Sequence, residues 1–204
     1  MLYMNNFSEN LLIDNLTSDN LITNNDTSIG RFTNWHVALE SALNRQIYLE
    51  LYASHCYLYL YEYFNRDNIG YKNIGEYFRK QSLEEKNHAE ELIKYQGLRG
   101  GIVKFDVVEK PDDFIKHTQM DVKSDIQMGF EYALNLEQEV YQNLLNLHTL
   151  ADEKNDPSFS DYLEGNFLNE QIESINEIST YIGQVSKIKF DGFGLYQFDL
   201  SFKL

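Results

Sequence analysis

Apolar side chains recur along this chain in alternating steps of four and three, the spacing of one face of an α-helix. Four long stretches carry the pattern. The first places Leu39, Leu43, Gln46, Glu50, Ala53, Tyr57 and Leu60 on one stripe. The second gives Ile74, Phe78, Gln81, Glu85, His88, Leu92 and Tyr95, and the third Ile126, Phe130, Ala133, Glu137, Val140, Leu144 and Leu147. The fourth gives Leu168, Gln171, Ile175, Ile178, Ile182 and Val185. Punctuation falls between them. A helix is expected from about Asn34, as N-cap, to about Asn65, before the breaker RDNIG. The next runs from about Tyr71 to Arg99, where Gly100 and Gly101 stop it. The extended stretch IVKFDVVEKPDD then leads to a third helix, from about Thr118 to His148. Asp156 and Pro157 read as N-cap and first position of a fourth, ending near Lys187, and the tail DGFGLYQFDLSFKL suits one short final helix. Segments of about 28 residues make helices roughly 42 Å long. Two short connections and one long crossover predict an all-α, four-helix bundle with a short fifth C-terminal helix.

Each stripe is apolar except near its middle, where Glu50, Glu85 with His88, Glu137 and Gln171 stand where a core wants leucine. A buried carboxylate without a partner costs several kcal/mol or takes up a proton. No stripe supplies a lysine or arginine. A metal cation among the carboxylates is the economical explanation, and oxygen and imidazole donors suit iron, manganese or zinc. A single E-x-x-H in a Glu-rich helix is a common accident, and seam glutamates also occur at bundle ends facing water. Interruptions inside all four seams make the metal reading the stronger one. The donor set is lopsided. Glu50, Glu85 and His88 serve one position, while the second has Glu85, Glu137 and the neutral Gln171, with no second E-x-x-H. A second ion would be held loosely. Tyr57, two turns from Glu50, reads either as a ligand-orienting or electron-donating phenol or as an ordinary core tyrosine.

Composition narrows the class further. The 204 residues fit one domain, and 43% hydrophobic and 14% aromatic content is globular. A net charge of −15 argues against nucleic acid as partner and favours cations near the surface. Cys56, the single cysteine, allows no internal disulfide and fits a reducing compartment. No apolar run approaches the ~18 residues that span a bilayer. Residues 1–31 form an Asn-rich stretch read as a flexible extension before a domain at 32–204. It shows neither a secretory nor a mitochondrial pattern, so cytoplasm is the expected location and the sequons at Asn6, Asn15 and Asn25 read as chance.

From about residue 32 onward the chain resembles ferritin of the heavy, ferroxidase-bearing type. NRQIYLELYAS (44–54), YFRKQSLEEKNHAEEL (77–92), LRGG (98–101), LADEKNDPSF (150–159) and FLNEQ (167–171) carry the resemblance. It implies a 24-subunit shell, homo-oligomeric or mixed with other ferritin subunits, that takes up Fe(II), oxidises it with dioxygen and stores Fe(III) as mineral. Two transient irons per subunit would sit at Glu50, Glu85, His88, Glu137 and Gln171, with Tyr57 nearby. The same resemblance places Asp161 and Glu164 at three-fold iron channels, although acidic residues also simply favour a helix N-terminus. Glu84 and Glu90 would form an inner nucleation patch, reduced because Asn87 stands where a further glutamate is usual. The segment DDFIKHTQMDVKSD is longer than usual, and the last helix contains Gly194 and ends in apolar residues. Yolk-type relatives carry extra segments, which keeps a secreted variant as an alternative. Two other readings stand beside this one: a shell subunit that binds ions but oxidises slowly, and a metal-free helical adaptor.

Overall fold

The computed structural model describes residues 34–112 and 123–203. The Asn-rich stretch 1–31 and residues 113–122 of the long segment after Pro111 lie outside them. Helix α1 spans Val37–Asn65, α2 Lys72–Leu98 and α3 Asp125–Glu153. Helix α4, Pro157–Leu163, continues through a π-helical turn at Glu164–Leu168 into α5, Asn169–Ile188, and α6 spans Gly192–Ser201. No strand occurs among the described residues. The four-helix bundle with a short last helix is as the periodicity predicts.

Helix ends follow their caps. His36, not Asn34, caps α1, its Nδ1 accepting from the Ala38 N–H at 3.0 Å. Asn34 instead accepts from Arg99 at 3.2 Å. The third helix begins at Asp125, where Ser124 adopts the extended cap conformation and its hydroxyl accepts from Gln127 N; the start expected at about Thr118 lies outside the described residues. It runs five residues beyond His148, since Ala151 still packs in the core. Asp156 and Pro157 open the fourth helix as the sequence indicates. Gly100, at φ +73°, lets the chain turn back so that Gly101 N–H closes onto Gln96 O at 2.9 Å.

The apolar stripes meet in one core. Leu39, Leu43, Leu60, Ile74, Phe78, Leu92, Phe130 and Leu144 are fully buried in it. Contacts are most extensive between α1 and α2, then between α3 and α5, while α1 also packs on α3. Gly129 permits one close approach, since a Cβ there would stand 2.7 Å from the Phe64 ring.

Three polar contacts fix the connections. Buried Arg99 at the end of α2 grips Asp156, the α4 cap, at 2.6 and 3.1 Å, and lies over the Trp35 ring. Asn44 holds the crossover to α1, donating to Ile102 O and accepting from Lys104 N, both at 2.9 Å. Asp199 on α6 accepts from Asn73 N and Ile74 N at 3.1 and 3.0 Å. It thereby caps the start of α2, whose own N-cap residue, Tyr71, makes no side-chain cap. Among the described residues no helix is long and apolar enough to cross a membrane.

Candidate metal centre

Glu50 reaches the middle of the bundle from α1, Glu85 and His88 from one turn of α2, Glu137 from α3 and Gln171 from α5. All four helices therefore contribute at the same level, and the four non-histidine side chains are 1–5% exposed. Glu50, Glu85 and His88 each offer one ligand atom, and those atoms lie within 4.8 Å of one another. His88 Nδ1 stands 3.5 Å from Glu85 Oε2, and its Nε2 is 3.5 Å from Glu170 Oε1. Phe167 packs edge-on against the imidazole. Glu85 and His88 of the E-x-x-H thus lie together, with Glu50 near them from α1.

His88 is, among the described residues, the one basic side chain that offsets the charge of Glu50 and Glu137, and it does so only in part. Among the described residues no lysine or arginine pairs with Glu50, Glu85 or Glu137. Burial pushes the Glu50 carboxyl well above its ordinary value, and the neighbouring Glu85 charge pushes it further. Glu85 is raised in the same way, by burial and then by Glu137. Glu50 Oε1 accepts from Gln46 Nε2 at 2.7 Å, buried Oε2 meets no amide or hydroxyl donor, and the Glu50 and Glu85 carboxyls share a hydrogen bond with each other. Buried carboxyls that face each other with no lysine or arginine beside them fit a site meant for a cation.

Glu137 is placed differently. The Tyr57 hydroxyl donates to its Oε1, and Gln171 Nε2 donates to its Oε2 and, at 3.1 Å, to its backbone carbonyl. Burial raises Glu137 too, but those two donors oppose the shift. Tyr57 is thus both a fully buried core side chain and a holder of Glu137. The lopsided donor set read from the sequence has a geometric counterpart: three ligand atoms converge on one side, and a carboxylate already engaged by two donors stands on the other.

The remaining residues expected to meet iron are scattered. Glu84 is half-buried and accepts from Gln81 at 2.9 Å, its carboxyl raised by burial and by Glu170. Glu90 is exposed, with Lys86 Nζ 3.8 Å away. Asp161 and Glu164 are exposed rather than continuing the buried stripe, which runs through Leu163 and Phe167 instead. Two successive steps of four, 163–167–171, need more residues per turn than an α-helix has, and the π turn at Glu164–Leu168 supplies them. Glu164 Oε1 lies 2.7 Å from His148 Nε2. Sequence reasoning assigned no part to Gln46, Glu170 or His148. The i, i+4 spacing of Gln46 with Glu50, and of His148 with Asp152, was the available signal; for Glu170 only its position beside Gln171 was.

The sequence matches the ferritin-like domain family over residues 40–188. The chain belongs to the ferritin family. It is also 41% identical over 166 residues to "Ferritin, chloroplastic" of Malus baccata var. xiaojinensis. That alignment takes in 81% of this chain and 65% of the relative, so the chain spans just under two thirds of that ferritin's length. The matched region contains Glu50, Glu85, His88, Glu137 and Gln171.

Proposed function

We propose that this ferritin stores iron as a catalytic shell subunit, oxidising Fe(II) with dioxygen at the centre inside each bundle. The convergence of Glu50, Glu85 and His88, buried and without a lysine or arginine, carries the reading. The donors are oxygen and imidazole nitrogen, which suit ferrous and ferric iron. Glu50, Glu85 and His88 bind the first ion, and Glu85, between the two positions, bridges to a second near Glu137 and Gln171. Carboxylates neutralise the charge that grows as each iron gives one electron to dioxygen. Because Tyr57 and Gln171 already occupy Glu137, the second ion is held weakly and leaves as ferric product. Glu84 and Glu90 receive it on the inner face, and Asp161 with Glu164, beside His148, draws Fe(II) in where subunits meet. The assembly proposed is the 24-subunit shell, alone or with other ferritin subunits. The compartment proposed is the cytoplasm, in keeping with a single buried, unpaired cysteine.

Stopped-flow absorbance after adding two Fe(II) per subunit in air tests the reading. Wild type should give a fast ferric signal that His88→Gly loses. Equal, slow signals from both would remove the centre from the oxidation. A second reading, a shell subunit that binds iron but turns it over slowly, draws on the double engagement of Glu137 and on Asn87. It predicts tight binding of one ion per subunit with little dioxygen consumed.

A further inference from the structure

We propose that Gln46 is a positioning residue of the metal centre, holding Glu50 so that a single oxygen, Oε2, is presented to the first ion. The inference rests on the site reading above and adds to it a residue outside the ligand set. Gln46 lies one helical turn before Glu50 on α1 and is 2% exposed. Its Nε2 donates to Glu50 Oε1 at 2.7 Å, a short bond for an amide and a carboxylate. Glu50 Oε2 is buried and meets no amide or hydroxyl donor; without an ion the Glu50 and Glu85 carboxyls share a hydrogen bond, and an ion held by Glu50, Glu85 and His88 would take the place of that proton.

A carboxylate free to turn can offer one oxygen or both. An N–H fixed on one oxygen keeps its lone pairs engaged and stops rotation about the last side-chain bond. One-oxygen ligation by Glu50 leaves coordination room for dioxygen or water, which two-oxygen ligation would fill. Outer hydrogen bonds of this kind orient ligands and tune the ion they hold. A purely structural role for Gln46 would be to satisfy a buried acceptor, and that role makes no statement about coordination number. The two are therefore separable by a spectrum.

The test is a titration of apo-protein with Co(II) under nitrogen, read by visible d–d absorption and calorimetry, in wild type, Glu50→Gln and Gln46→Met. Methionine keeps the length of glutamine and removes the donor. Wild type should bind one tight Co(II) per subunit, and Glu50→Gln should lose it. Gln46→Met should keep its thermal stability within a few degrees, bind Co(II) about tenfold differently, and show weaker bands as Glu50 turns to two-oxygen ligation. Identical bands and affinity in Gln46→Met and wild type would overturn the positioning role while leaving the site intact. Wild type and Glu50→Gln binding Co(II) alike would instead overturn the site reading, and the positioning role with it. Gln46→Leu poses the same question if the methionine variant does not fold.

Discussion

At the scale of single residues, the centre's carboxylates make the empty bundle sensitive to pH. Burial raises Glu50, Glu85 and Glu137 in the folded chain, whereas the unfolded chain ionises them at their ordinary values. Below those values both states are protonated and the fold keeps its full stability. As pH rises through the raised values the unfolded chain has already released protons, so stability falls. Gln46, Tyr57, Gln171, His88, Glu84 and Glu170 face these groups, and no lysine or arginine offsets them. Apo-protein should therefore lose melting temperature from about pH 5 upward, and a divalent cation should restore it. Glu85→Gln should raise apo stability by about 1 kcal/mol or more, flatten the pH slope and abolish the rescue by metal. Differential scanning calorimetry with and without Zn(II) measures all three. An unchanged slope in Glu85→Gln would mean that the general repulsion of a chain at −15 sets it. The five centre residues were legible because a charged group on a four-three stripe contradicts its surroundings. Glu170 was not, since nothing in its own spacing says that it lies 3.5 Å from His88.

At the scale of elements, existence and face were legible and endpoints less so. Side-chain caps decided the ends: His36 caps α1 in place of Asn34, and Ser124 caps α3. The most consequential cap comes from a remote element. Asp199 is 3% exposed and satisfies two N–H groups at the start of α2 with a carboxylate suited to the positive end of a helix. Asn73 Nδ2 adds a third donor at 2.7 Å. No pattern in the tail announces this, because a buried aspartate among Phe198 and Leu200 reads only as an outward-facing polar residue. Asp199→Ala should cost about 1–2 kcal/mol, and hydrogen exchange should accelerate at both α6 and the first turn of α2. Faster exchange in α6 alone would show that α2 does not depend on the contact.

At the scale of the whole molecule, several large apolar side chains among the described residues face water. Phe105 and Val107 on the crossover are 70% and 88% exposed, and Phe193 on α6 is 72% exposed. They lie on two separate parts of the subunit, which suits contacts with more than one neighbour, as a closed shell requires. Native mass spectrometry should find 24 subunits, and Val107→Asp or Phe193→Asp should shift the population to smaller species while the helical circular dichroism persists. A wild-type monomer would remove the shell from the proposal. The 24-subunit assembly is what the motif resemblance implies, and exposed Val107 and Phe193 are residues at which to test it.

The π turn at Glu164–Leu168 has one more consequence. Each residue of an α-helix advances the chain by about 100° around its axis, so the turn works like a washer under a screw head. It sets the angular offset between the end that carries Asp161 and Glu164 outward and the end that carries Gln171 inward. Deleting one residue there would barely shorten the rod. It would leave Leu163 and Gln171 seven steps apart, about two ordinary α turns, so the outward acids and the inward amide keep their addresses only if the washer and its extra residue go together.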